Sequence, residues 1–261
     1  MGLVLLDIDN GIGRLRLNRP DQSNGMTVPL LRALYDALME CHGRADLRVL
    51  ILSGEGPNFC AGGDIKDFAS KGEGLPDYLR QATSWLQIST TALMRLQAPV
   101  IAAVHGFAAG GGGFGLACAA DLVVAGESAK FLPGATRAGM APDAGVSVTL
   151  SRLVGLRRAM ELVLLNPILS AAEAKEFGIV NRVVPDDELM DAALDLAREL
   201  AAGAPRALAE SKRLLWDGVG RSVETALPDE SATVSALSGT ADAREGLAAV
   251  IEKRAPKFTG R

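Results

Sequence analysis

The sequence is poor in the residues that build disulfide scaffolds and metal centres. Its 261 residues include three cysteines, Cys41, Cys60 and Cys118, an odd number in three unlike contexts with no CxxC, and the only imidazoles are His42 and His105. That pattern argues against a disulfide framework and a tetrahedral zinc site, so no metal is expected and the thiols read as reduced and structural. Aromatic residues make up only 4 % of the chain, so Ala, Leu, Val and Gly must fill the interior. Lys and Arg number 27 against 31 Asp and Glu, a formal net charge of -4, and no long basic run is present. Nucleic acid and anionic membrane are therefore not expected partners. No apolar run approaches the roughly 20 residues that cross a bilayer. Residues 1–8 carry Asp7 and no basic n-region, so a cytoplasmic location is expected.

What is present is a globular composition, 48 % hydrophobic, on a chain long enough to bury a sizeable core. Residues 3–8 and 12–17 read as two strands around Asn10-Gly11, a pair suited to a tight hairpin. Apolar residues at helical spacing predict a helix over 27–41 with Thr27 at its N-cap, and a long helix over 76–96. Buried strands are predicted at 49–52, 100–104 and 122–125, which makes an α/β fold with largely parallel strands. Beyond about residue 144, apart from a strand within 179–184, the pattern is helical: 146–153, 156–165, 171–177, 187–201, 205–217, 223–236 and 241–253. The division expected is an α/β core over 1–195 and a helical C-terminal region over 196–261.

Two glycine-rich turns stand out, Ala61-Gly62-Gly63-Asp64 and Gly110-Gly111-Gly112-Gly113-Phe114-Gly115. The second fits the dinucleotide fingerprint G-x-G-x-x-G. A crossover helix of the required length does not fit there, because residues 115–120 make less than two turns before Asp121 opens the next strand. The alternative is that glycine lets the backbone approach a ligand and aim N–H groups at a developing negative charge, as an oxyanion hole does.

Phe59-Cys60-Ala61-Gly62-Gly63-Asp64-Ile65, followed by the segment 99–112 with its glycine run, strongly resembles the paired motifs of the crotonase (enoyl-CoA hydratase/isomerase) superfamily. The likeness extends to Asn18-Arg19-Pro20, to the segments 155–161 and 172–178, and to Glu252-Lys-Arg-Ala-Pro-Lys-Phe near the end. It implies a spiral of repeated ββα units with a helical C-terminal trimerisation region, hence a homotrimer or a homohexamer built as a dimer of trimers. It also implies an acyl-CoA thioester substrate, with coenzyme A part of the substrate and no separate cofactor. The oxyanion donors would be the N–H groups of Gly63 and of a second glycine. This run is one residue longer than the family pattern: counting back from Asp121 gives Gly112, the preferred assignment, and counting forward from Gly106 gives Gly111. The coenzyme would lie over Gln22, Ser23, Ala61, Gly62 and Ile65, with Lys257 and Phe258 lent by a neighbouring subunit. Phe68, Trp85, Phe114 and Ala135 are candidates for the acyl pocket.

The carboxylates decide the reaction. Hydration in this family resembles two-glutamate chemistry, and the matching positions here are Gly115 and Ala135, which cannot move a proton. Asp143, in Gly139-Met-Ala-Pro-Asp-Ala-Gly, matches the single acid of the enoyl-CoA isomerases, including the epoxyphenylacetyl-CoA type. One base can take a proton from one carbon and return it to another. An enoyl-CoA double-bond isomerase is thus expected, with Asp143 as shuttle. The alternatives are a hydratase or hydrolase using Asp143, a non-catalytic acyl-CoA binder, or a dehalogenase, whose His and Trp positions hold Gln87 and Ala135. Asp143 also has a purely structural reading as a helix N-cap. Asp64 reads as a cap, and Asp121 and His105 read as structural.

Overall fold

The computed structural model describes residues 2–261. The hairpin comes first: β1 (Val4–Asp9) and β2 (Ile12–Leu17) pair antiparallel, Asp9 opposite Ile12. Asn10 and Gly11 both take positive φ, 50° and 79°, the turn that matches strand twist. Then come α1 (Val28–His42), β3 (Val49–Gly54), α2 (Ile65–Ala69), α3 (Leu75–Arg95), β4 (Val100–Val104), β5 (Phe107–Ala109), α4 (Leu116–Ala119), β6 (Leu122–Gly126) and β7 (Lys130–Leu132). The remainder is α5 (Val146–Val154), α6 (Leu156–Leu165), β8 (Leu169–Ser170), α7 (Ala171–Glu176), β9 (Arg182–Val184), α8 (Leu189–Ala201), α9 (Pro205–Gly218), α10 (Val223–Ser238) and α11 (Ala241–Glu252). The α/β expectation holds, and the short strands β5, β7 and β8 are additions to it.

The main sheet has the order β1-β2-β3-β4-β6-β9, parallel from β2 onward. A smaller sheet, β5-β7-β8, stands beside it. The central strands are buried on both faces, which is why they read as unbroken apolar runs. Leu50, Leu52, Val100, Ala102 and Val104 face the large core under α1 and α3. The alternate residues Val49, Ile51, Ile101 and Ala103 face α8 through Leu189, Ala193, Leu196 and Ala197.

Because α8 covers one face of the sheet, a boundary between 195 and 196 falls inside a helix that belongs to the core. The turn at 202–204 is where the chain leaves the sheet. Beyond it, α9 is tied to the sheet by Lys212, whose ammonium lies 2.7 Å from Asp121 and donates to the carbonyls of Leu93 and Ala98. Trp216 Nε1 donates to the same aspartate at 2.8 Å. Leu215, Val223, Leu227, Leu247, Val250 and Ile251 on α9–α11 are exposed. No helix among the described residues is long and apolar enough to cross a membrane.

Candidate active site

The two glycine turns meet. The loop after β3 runs alongside β5: Cys60 N–H donates to Phe107 O and Ala109 N–H donates to Cys60 O, both at 2.9 Å. On its other side the same loop is laced to the segment before α1, with Met26 N–H donating to Gly62 O at 2.7 Å and Asp64 N–H to Met26 O at 3.0 Å. Gly62 and Gly110 hold positive φ, 94° and 57°. A Cβ on Gly62 would lie 2.9 Å from Ala109 O, and one on Gly110 would lie 3.3 Å from Gly62 Cα and 3.9 Å from Gly63 N. Side chains at either position would push the turns apart, so glycine is what allows the approach.

Gly111–Gly115 wind as a π-helical turn before α4 resumes. A π-helical turn holds one residue more than an α-helical one. Gly111 is partly exposed, while Gly112 is buried against Met26 and Cys60. The first N–H groups of this helix have no partner within it.

Asp143 arrives from a loop shaped by three left-handed residues, Gly139 (φ 70°), Ala144 (φ 50°) and Gly145 (φ 80°). A positive φ on Ala144 is costly for a residue with a Cβ. The Asp143 carboxylate packs directly on Gly111, in the space a side chain there would take. It does not cap α5, whose N-cap residue is Gly145 and whose start has no side-chain cap. Burial pushes the pKa of Asp143 up from the ordinary aspartate value, and a hydrogen bond from its own backbone amide opposes that shift.

Gly115 and Ala135, the positions that the family resemblance matches to the hydration glutamates, carry no group that can move a proton. A Cβ on Gly115 would stand 2.7 Å from Ala144 Cβ. Ala135 opens a 3-10 turn and accepts from Met140 N–H at 3.1 Å.

Of the other candidates, Ser23 and Ala61 are joined directly, Ala61 N–H donating to Ser23 O at 3.0 Å. With exposed Gln22, buried Gly62 and Ile65 at 59 % exposure they form one rim above Gly63. Lys257 and Phe258 are elsewhere in the subunit: Lys257 N–H donates to Glu245, and Phe258 lies against Gly246 on α11. The Phe68 ring covers Gly63 and meets Tyr78 edge-on at 6.1 Å. Trp85 packs instead between α3 and α1, 5.8 Å from Tyr35 and under the guanidinium of Arg32. Phe114 is fully buried in the core. Asp64 caps α2 through Asp67 N–H at 3.0 Å and pairs with Arg19. His105 Nε2 bonds Gly56 O at 2.9 Å, and Asp121 accepts from Val100 N–H at 2.7 Å, both structural roles.

Two features escaped the reading of the sequence. Buried Asn24, at φ 55°, donates from Nδ2 to Glu55 O and Asn58 O and accepts from Arg19 N–H, fixing the rim from below. Its Asn-Gly dipeptide was a turn signal. Tyr78 donates to Asp67, which also binds Lys71 at 2.7 Å, so α2 is latched to α3 next to Gly63.

The family model described as enoyl-CoA hydratase/isomerase matches residues 7–261. A protein of Rhodobacter capsulatus described as a probable enoyl-CoA hydratase is 37 % identical over 99 % of this chain and 98 % of its own. The 1,2-epoxyphenylacetyl-CoA isomerase of Escherichia coli is 36 % identical, covering 100 % of both. The crystal structure of an enoyl-CoA hydratase from Bacillus anthracis superposes with a TM-score of 0.94 at 35 % identity, covering 99 % of this chain and 100 % of that one.

Proposed function

Because the chain belongs to the enoyl-CoA hydratase/isomerase family and has the crotonase fold, we propose that it is an enoyl-CoA double-bond isomerase that works through a thioester enolate. The observation that carries the proposal is the single carboxylate of Asp143 packed on Gly111, with Gly115 and Ala135 where hydration would need acids.

The thioester oxygen sits between the two glycine turns, where Gly63 N–H and an N–H of the π-turn share the charge that develops as the α- or γ-proton leaves. One such donor contributes on the order of 10²–10³ in rate. The second donor is the N–H of Gly112, by the count back from Asp121, or of Gly111, by the count forward from Gly106; the contact of Asp143 with Gly111 supports the latter. Asp143 takes the proton as carboxylate and returns it to the far end of the delocalised dienolate as carboxylic acid. A raised pKa serves both halves of that exchange.

The coenzyme A part of the substrate crosses the rim at Gln22, Ser23, Ala61, Gly62 and Ile65, and Lys257 and Phe258 reach it from a neighbouring copy. Phe68 is the pocket wall nearest the oxyanion, and Ala135 borders the acyl end. The exposed apolar residues of α9–α11 support a trimer or a hexamer of two trimers. The enolate route needs no cofactor besides the thioester. Three buried free thiols support a reducing, cytoplasmic setting.

A second reading, hydration with Asp143 activating water, is supported by the hydratase descriptions of two relatives. A panel of 2-enoyl, 3-enoyl, dienoyl and arylacetyl CoA esters separates them. Isomerisation gives bond migration without added mass, and hydration adds one water. Turnover by hydration alone would reject the isomerase, and binding of every ester without turnover would reject both readings.

A further inference from the structure

The glycine turns lie at the C-terminal ends of β3 and β5. At the opposite end of the sheet, where β3 and β4 begin, is a cavity of about 780 Å³ between the core, α9, α10 and the last residues of the chain. Its apolar lining comes from Leu47, Leu96, Ala98, Ala209 and Leu237. Its charge is mostly of one sign. Five cationic or imidazole side chains line it, His42, Arg44, Arg48, Arg95 and Arg206, against one carboxylate, Glu210.

Most of these groups are already occupied. Arg44 grips Asp46 at 2.8 Å, Arg95 pairs with Asp217 at 2.9 Å, and His42 Nε2 bonds Ala92 O at 2.9 Å. Glu210 is held by Arg213 at 2.7 Å. Arg48 and Arg206 are different: among the described residues neither has an ion-pair partner or a side-chain hydrogen bond. Arg48 is half-buried and its stem rests on Gly11, while its guanidinium reaches toward Gly260 at the cavity edge. Arg206 stands in the first turn of α9, which has no acid to offset it. Two guanidinium forks without counter-charge therefore open on an apolar-lined space, an arrangement suited to a carboxylate with an apolar body.

We propose that this cavity is a second ligand site, separate from the glycine turns, which binds an amphipathic monocarboxylate with its head on Arg48 and Arg206 and its chain along Leu47, Leu96 and Leu237. A bound chain would bridge the sheet to α9 and α10, so its occupancy would stabilise the attachment of the C-terminal helices.

The test is calorimetric titration of the full-length protein with octanoate, repeated with acetyl-CoA in excess to fill the glycine turns. The expected result is one saturable site per chain that persists under acetyl-CoA, with octanol binding about tenfold or more weakly, for want of the charge-assisted bonds. Arg48→Gln combined with Arg206→Gln should weaken octanoate by about tenfold or more, while CoA-ester turnover and melting temperature without octanoate stay unchanged. Arg206→Lys, which keeps the charge but not the planar fork, should weaken octanoate less than Arg206→Gln does. Absence of saturable binding, equal affinity for octanol, or octanoate affinity unchanged in the double variant would each overturn the proposal.

Discussion

The carboxylate of Asp143 occupies the volume that a side chain on Gly111 would need. An acid from the loop before α5 and a glycine from the turn after β5 are thereby brought into van der Waals contact, although β6 and β7 separate them along the chain. Gly111→Ala should therefore displace the acid while leaving the core strands in place. A displacement near 1 Å costs on the order of 10² in rate, so isomerase kcat should fall by about that factor with KM and melting temperature little changed. Steady-state kinetics beside a melting curve checks this.

Asp143 is also a pH probe. It must be ionised to accept a proton, and burial raises its pKa. Isomerase kcat/KM should thus rise with pH through a value above that of an ordinary aspartate and then level off. The sign for stability is opposite. A carboxyl that holds its proton more tightly when folded makes the native state lose stability as pH rises from the unfolded pKa through the folded one. At neutral pH, removing that charge should leave the melting temperature unchanged or higher, which differential scanning calorimetry of Asp143→Asn reads directly.

Lys212 is a structural counterpart. Its buried ammonium is held by Asp121 at 2.7 Å. Replacing it with Met leaves the aspartate with only Val100 N–H and Trp216 Nε1. Loss of one partner of a buried pair costs about 3 kcal/mol, so Lys212→Met should lower the urea midpoint substantially. Lys253→Met, at the exposed end of α11, is the matching control and should change the midpoint little.

The cysteines give a fourth test. Burial pushes Cys60 and Cys118 up to about 12 and Cys41 to about 11. At pH 8 a thiol reagent should label none of them in the native protein and all three after unfolding in guanidinium. Rapid labelling of Cys60 in the native state would show that the floor beneath the glycine turns opens.

The elements that could be read from the sequence are those with long, regular patterns. The central strands, α1 and α3 were legible because both faces of the sheet are buried and each helix has one apolar stripe. Strands β5, β7 and β8 were not, because two or three residues carry no period and Phe107-Ala108-Ala109 reads as an approach to the glycine run. The residue types of the site were legible from its two motifs and the family resemblance. The choice between Gly111 and Gly112 was not, because an added residue shows in a count without showing which glycine of the run it displaces. The contacts of the Trp85 ring with Tyr35 and Arg32 come from the packing of α3 on α1. The latch of Tyr78 on Asp67 depends on how α2 and α3 pack, which no local pattern encodes.

The most direct test of the proton shuttle is the turnover of 3-enoyl-CoA by Asp143→Asn, with CoA-ester affinity and melting temperature measured on the same preparation. The expected result is a loss of about 10³-fold or more in kcat, on the scale of a lost general acid–base group, with ester affinity retained and melting temperature equal or higher. Wild-type turnover in that variant would contradict the assignment of Asp143 as the proton shuttle.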